Sequence, residues 1–330
     1  GVSPVQEKQM ITQRGNNTYV VGITGNFDDA QTGVKNMFGN RELAERMNEK
    51  GYQFSSANSI NIGRLVPQIV YYVYAYGRLL ADGVIKPGDK VNYVVPTGNF
   101  GNILAAYYAG RMGIPVGKLI CASNENKVLY DFFGSGTYDR NRDFILTSSP
   151  SMDILISSNL ERFLYDLTGC DDKLVSEWMK ELNTNGSYEV SADVKAKMQE
   201  MFTAGCCDDA ETMATIKKCA SEYDYVIDTH TAVAKSVYDK YVAQTGDTTK
   251  TIIASTASPF KFNQSVLIAL EDHNAVVGKD EFTLLKELSE KSNMQIPKSL
   301  YELKDKSVVF DLVCDKDEMQ QIVSDFLMVE

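Results

Sequence analysis

The stretch Val91–Asn102, VNYVVPTGNFGN, decides the fold. Val91 to Val95 is rich in β-branched and aromatic residues, PTGNFGN is a turn, and Ile103, Leu104, Tyr107, Tyr108 and Met112 then recur at helical spacing. The same order of strand, turn and helix occurs upstream, where Tyr19 to Ile23 leads through Thr24–Asp29 to Val34, Met37 and Phe38. Downstream, Leu119 to Ala122 and Thr251 to Ser255 read as further strands set between helical segments. Such alternation predicts an α/β protein with open, mostly parallel sheets and helices on both faces.

Outward from this unit, Leu43 and Met47 mark a helix that Gly51 ends, and Ile62, Leu65, Val66, Ile69, Val70, Val73 and Tyr76 mark a longer one. The longer helix is apolar on most sides, which predicts a central, buried position. Its apolar stretch, Leu65–Gly77, contains Pro67, Gln68 and four tyrosines and falls short of the ~18 residues of a membrane span. Residues 134–150 read as a loop or a boundary and 151–222 as helical throughout. After Gly278 come a charged helix, Pro297, a strand near Val308–Val313 and a last amphipathic helix.

The 330 residues carry 33 Lys plus Arg against 44 Asp plus Glu, a net charge of −11 with no basic cluster, which argues against a nucleic-acid partner. Six cysteines without CxxC spacing, and no basic-then-apolar leader, predict a reducing cytoplasm. His230 and His273 lie far apart without cysteine or histidine partners at zinc-like spacing, so no metal site is expected. His230 reads instead as a helix-entry residue near a cleft. The pair Cys206–Cys207 stands beside Asp208–Asp209, whose charge is expected to raise the thiol pKa and leave the cysteines as packing residues. The opening GVSPVQEKQM reads as mid-protein sequence, so the chain is expected to be a fragment.

The tetrapeptide TGNF occurs twice, at Thr24–Phe27 and Thr97–Phe100. In the second copy Gly98 and Gly101 permit a tight turn whose N–H groups, with the positive end of the following helix, suit a phosphate. In the first copy Asp28 and Asp29 follow, and their carboxylates would cap the helix and repel an anion. Glycine serves tight turning as readily as phosphate binding, so the residues alone leave both open for the second copy. The spacing matches neither GxGxxG nor a P-loop, which leaves one phosphate on a small molecule as the ligand that fits.

Taken with GNFDDAQTGVK, SSANSINIGRL, VPTGNFGNILAAYYAGRMGIP, DTHTAVA and STASPFKF, in that order, the chain resembles threonine synthases of the longer, bacterial and fungal type over nearly its whole length. The resemblance implies a pyridoxal-phosphate enzyme of the tryptophan-synthase-β-like fold, fold type II. Residues 1–58 would be the remainder of a small cofactor-side domain. Residues 59–330 would form a large α/β domain with a mainly helical insertion near 151–222 and a C-terminal extension from about 279. It further implies that Gly98, Asn99, Phe100, Gly101 and Asn102 hold the cofactor phosphate and that Thr256 faces the pyridine nitrogen. Ser59, Asn61 and Arg64 would look toward the phosphate of the substrate, O-phosphohomoserine, and the full-length enzyme would be a monomer or dimer. The implied activity is carbon–oxygen lyase chemistry in threonine biosynthesis.

Two departures stand out. Ser258 occupies the place where the family's last motif usually carries histidine. The family's cofactor lysine, in a block resembling FKD, has no counterpart here, and Lys35, Lys127, Lys235 and Lys261 lie in other contexts. The catalytic lysine therefore stays unassigned, and the chain alone is expected to be inactive. Two rival readings are another enzyme of the same cofactor fold, such as a dehydratase or sulfhydrylase, and a non-catalytic phosphate-ligand module. The apparent phosphate clamp at Arg64 argues against the former.

Overall fold

The computed structural model describes residues 3–25 and 27–329, without the side chains of Phe27, Asp28 and Gln31. It divides into two compact units, Ser56–Val277 and Gly1–Ser55 with Gly278–Glu330.

Within the larger unit, the elements that frame the site are α1 (Ile69–Ala81), β1 (Val91–Pro96), α2 (Gly101–Arg111), β2 (Val116–Ser123), α3 (Leu160–Leu167), β3 (Phe202–Cys206), α4 (Thr229–Thr245) and β4 (Thr251–Ile253). The strands form one sheet in the order β3-β2-β1-β4, and every neighbouring pair is parallel. All six residues of β1 are buried because both faces of the sheet are covered, which is why its sequence runs apolar instead of alternating. On one face Tyr93, Val95, Ile103, Leu104 and Leu119 share a core with four phenylalanines, Phe100, Phe133, Phe163 and Phe202, whose ring centroids stand 4.7–6.1 Å apart. On the other, Val94, Ile120 and Ala122 pack against Val233, Ala234 and Val237 of α4.

Three expectations for the larger unit change. Residues 151–222 are not helical throughout: Ser187–Glu189 pairs antiparallel with Thr137–Asp139, and β3 is a strand of the main sheet. β3 follows the helix Ala192–Met201 directly, with no turn residue between them, and its stability comes from pairing with β2. The long helix read from Ile62 is interrupted at Pro67, giving a four-residue helix Ile62–Leu65, a 3₁₀ turn Val66–Gln68 and then α1. Nor is α1 buried all round: Tyr72 and Tyr76 point inward, but Val70, Tyr71 and Tyr74 are 62 %, 61 % and 67 % exposed.

In the smaller unit, Gly22–Thr24 pairs in parallel with Val313–Asp315 over a core of Met37, Leu43, Met47, Cys314 and Met319. The segment from Gly278 therefore joins residues 1–55 and does not extend the domain read as 59–330. Pairing between strands from opposite ends of the chain requires both segments. The strand read near Val308–Val313 forms at Val313–Asp315, where its partner is. At the first TGNF copy, a carboxylate oxygen of Asp29 lies 2.8 Å from where a Cβ on Gly25 would stand. Asn26 and the side chains of Phe27 and Asp28 lie outside the described residues.

Candidate functional site

β1 delivers the chain to the glycine turn. Thr97 closes the strand, its N–H donating to Ala122 O at 2.8 Å and its hydroxyl to Val95 O at 2.7 Å. Phe100 then takes a left-handed conformation, φ 61°, at the N-cap of α2, where no side chain caps the helix. Its ring, 1 % exposed, is locked among Phe133, Phe163 and Phe202, so the core holds a backbone geometry that a bulky residue otherwise disfavours. Phe100 thus offers the site its peptide group and not its ring. The N–H groups of Gly101, Asn102 and Ile103 make no hydrogen bond to protein among the described residues, leaving the positive end of α2 open.

Both glycines are fixed by close approach. A Cβ on Gly98 would stand 2.8 Å from Ser151 O, and one on Gly101 would stand 2.3 Å from Ser59 Oγ. Ser59 is thereby pressed against the start of α2.

A cleft of about 810 Å³ opens beside this helix end, lined by Ser59, Arg64, Asn102 and Thr256 together with Tyr71, Tyr72 and Ser255. Four residues read from three separate motifs therefore meet in one cavity. Asn102 Oδ1 accepts the hydroxyl of Tyr72, and burial pushes the phenol of Tyr72 well above its ordinary pKa, so it remains a neutral donor. Arg64 is exposed, and its guanidinium forms no ion pair among the described residues. Thr256 is exposed at the end of β4.

The remaining read residues lie differently. Gly98 and Gly101 are buried beneath the cleft, and Asn99 Oδ1 accepts from Ser158 Oγ at 3.3 Å. Asn61 is not among the lining residues; its side chain accepts from Gly63 N at 2.9 Å and donates to Ser56 O at 3.1 Å, holding the four-residue helix that carries Arg64. Ser258 accepts from Phe260 N at 3.3 Å.

His230 sits at the start of α4, buried. Its Nε2 accepts from Ser151 N at 3.2 Å, which assigns the proton to Nδ1, 3.1 Å from Asp228 Oδ1. Ser151 is the residue whose carbonyl abuts Gly98, so this histidine pins the wall behind the glycine turn.

Sequence reasoning missed Asn159 and Arg162. Asn159 Nδ2 donates to Ser59 Oγ at 3.0 Å and to Asn99 O at 2.8 Å, while Arg162 donates to Ser59 O at 2.9 Å. The run SSNLER within a segment read as helix offered the signal, because Asn159 precedes α3 directly.

Burial, rather than the neighbouring carboxylates, pushes the thiols of Cys206 and Cys207 up. Asp208 accepts from Glu211 N and Asp209 from Ser148. No lysine lines the cleft among the described residues; Lys235, for one, pairs with Asp239 at 2.6 Å. Among the described residues no cluster of His, Cys, Asp and Glu is arranged for a metal ion, and no helix is long and apolar enough to cross a membrane.

The parallel sheet with helices on both faces, and the glycine turn feeding an uncapped helix beside a cleft, have the architecture of fold type II. A family model described as "Threonine synthase, C-terminal" matches residues 231–322. Threonine synthase-like 1 of Homo sapiens is 41 % identical over 298 residues, 90 % of this chain and 38 % of that protein. Threonine synthase of Saccharomyces cerevisiae is 38 % identical over 301 residues, 87 % of this chain and 56 % of that protein. The PLP-bound threonine synthase structure from Brucella melitensis superposes with a TM-score of 0.80 at 34 % identity, covering 99 % of this chain and 62 % of that one. The chain is similar to the C-terminal part of threonine synthases. It spans between about two fifths and three fifths of the relatives it matches.

Proposed function

We propose that the chain supplies the phosphate-holding part of a threonine synthase site, which converts O-phospho-L-homoserine and water into L-threonine and phosphate. The observation that carries this reading is the convergence of Ser59, Arg64, Asn102 and Thr256 on one cleft at the open end of α2.

The residues fit pyridoxal phosphate at its phosphate end. The uncapped amides of Gly101, Asn102 and Ile103 suit a dianion, while glycine at 98 and 101 is required by the close approach of Ser151 and Ser59. Bound there, pyridoxal phosphate supplies an electron sink for loss of protons from the amino acid's Cα and Cβ. Thr256 would face the ring nitrogen with a neutral hydroxyl, which leaves that nitrogen unprotonated and moderates the sink. Arg64, with Ser59, would take the phosphate of the substrate. The planar guanidinium fork suits that group, and its attraction grows as the phosphate leaves with added charge.

The cofactor lysine we assign to polypeptide outside these 330 residues, so the chain by itself does not turn over. The cleft lining without lysine and the partial span of the relatives support this. Six free cysteines support a reducing cytoplasm as the location.

The test is to mix the purified chain with pyridoxal phosphate, reduce with borohydride and map pyridoxyl-labelled lysines by peptide mass. No single lysine should be labelled selectively; selective labelling of one would place the amine within this chain after all. Arg64→Ala should weaken binding of O-phosphohomoserine about tenfold or more, the size of a lost charge-assisted hydrogen bond, and spare homoserine. Equal loss for both ligands would remove the phosphate role of Arg64.

A further inference from the structure

We propose that Asn159 is the positioning residue that aims the glycine turn's N–H groups at the anion and fixes Ser59 beside them. The inference rests on reading that turn as a phosphate site.

The argument starts with the turn's carbonyls. Gly98 O accepts Ser157 Oγ at 2.8 Å, and Asn99 O accepts both the N–H of Asn159, at 3.1 Å, and its Nδ2, at 2.8 Å. In a trans peptide the C=O and N–H point in opposite directions. Holding these two carbonyls on the side of residues 157–159 therefore turns the N–H groups of Asn99 and Phe100 the other way. Neither N–H bonds to protein among the described residues, and they continue the row of open amides at the start of α2.

The same side chain reaches the second anion-facing segment. Asn159 is fully buried, and its Nδ2 also donates to Ser59 Oγ at 3.0 Å. Its Oδ1 accepts from Arg162, whose guanidinium also donates to the carbonyls of Ser59 and Ile60. Every polar atom of the amide is thus committed, and a flip would set Oδ1 against the oxygen of Asn99 and the NH₂ against a guanidinium. One residue thereby sets the distance between the turn meant for the cofactor's phosphate and the serine meant for the substrate's.

Asn159→Asp tests this, because it keeps the oxygen that Arg162 binds and removes both Nδ2 donors. Inorganic phosphate is titrated into the ¹⁵N-labelled chain while the amide signals of residues 98–103 are followed. In the unsubstituted chain these signals should move and saturate. In Asn159→Asp the affinity should fall at least tenfold, and the amides of Asn99 and Phe100 should be displaced before any phosphate is added. Leu182→Ala, a core truncation on the helix Asp172–Asn185, should lower the melting temperature and leave phosphate affinity unchanged. Ser157→Ala, which removes only the bond to Gly98 O, should weaken phosphate about threefold and provides the test if Asn159→Asp fails to fold. Unchanged affinity in Asn159→Asp or Ser157→Ala, or an equal loss in Leu182→Ala, overturns the proposal. Absence of any phosphate-dependent shift in the unsubstituted chain overturns instead the reading of the turn as a phosphate site.

Discussion

At the residue scale, the two glycines of the turn differ in what surrounds them. A methyl group on Gly98 would meet the carbonyl of Ser151, whose own N–H is held by His230; the obstacle is backbone that is tied down. Gly98→Ala should cost about 1–3 kcal/mol of stability, the usual penalty of overpacking a site that cannot give. At Gly101 the obstacle is Ser59, whose Oγ can rotate away at the loss of its bond to Asn159 but whose Cβ, 2.6 Å from the added methyl, moves only with its backbone. Gly101→Ala should therefore cost at least as much stability as Gly98→Ala and also weaken phosphate binding; urea titrations beside phosphate titrations would check the order. The turn was legible in sequence because glycines and a following helical period mark it. The reason for each glycine was not, since Ser151 and Ser59 arrive from segments about 50 and 40 residues away. Arg64 and Thr256 were legible only through the resemblance, as a lone arginine or threonine carries no local signal. Asn61 stood in the same block and turns out to hold a helix end, a role its residue type announces equally well.

At the element scale, β4 is an edge strand tied in by Asp247. Its carboxylate accepts from Thr249 N at 2.9 Å, Tyr241 OH at 2.7 Å and Asn92 Nδ2 at 2.8 Å, bridging the turn before β4 to α4 and β1. These bonds, those of Thr249 first and of Tyr241 next, hold the carboxyl well below the usual carboxylate range. A depressed folded-state value means that the stabilisation is complete above the unfolded value of about 3.9 and is lost as the pH falls through the folded one. Asp247→Asn should thus lower the melting temperature at pH 7, and its gap from the unsubstituted chain should narrow progressively below about pH 3.9. A gap that is constant with pH would show that the charge contributes nothing. β1, β2 and β4 were visible as short apolar runs between turn signals. β3 was not, because FTAGC carries only one large apolar residue and follows a helix without punctuation; its partner strand makes it a strand.

At the scale of the whole molecule, the alternation of strands and helices fixes the α/β class, and the parallel sheet follows because the connecting segments are long enough for crossovers. The joining of residues 278–330 to residues 1–55 left no mark in the sequence, since pairing between distant strands has no local period. The exposed face of α1 was hidden for a related reason: apolar spacing shows that a helix has a surface to bury, not whether these residues bury it. Val70, Tyr71 and Tyr74 are exposed on α1, and Tyr71 also lines the cleft. The isolated chain should bind a hydrophobic dye and self-associate. Val70→Lys with Tyr74→Lys should reduce both while changing stability by no more than about 0.5 kcal/mol per site, as is usual for exposed positions. Light scattering that shows the unsubstituted chain monomeric, with no dye bound, would remove that surface from the account.

The most direct measurement is calorimetric titration of the chain with pyridoxal phosphate and, separately, with pyridoxal, which lacks only the phosphate. The open amides at the start of α2 predict that the phosphate ester binds at least tenfold more tightly and that Gly98→Val abolishes the difference. Equal binding of the two ligands, or a preference that survives Gly98→Val, would contradict the assignment of residues 98–102 as the phosphate site.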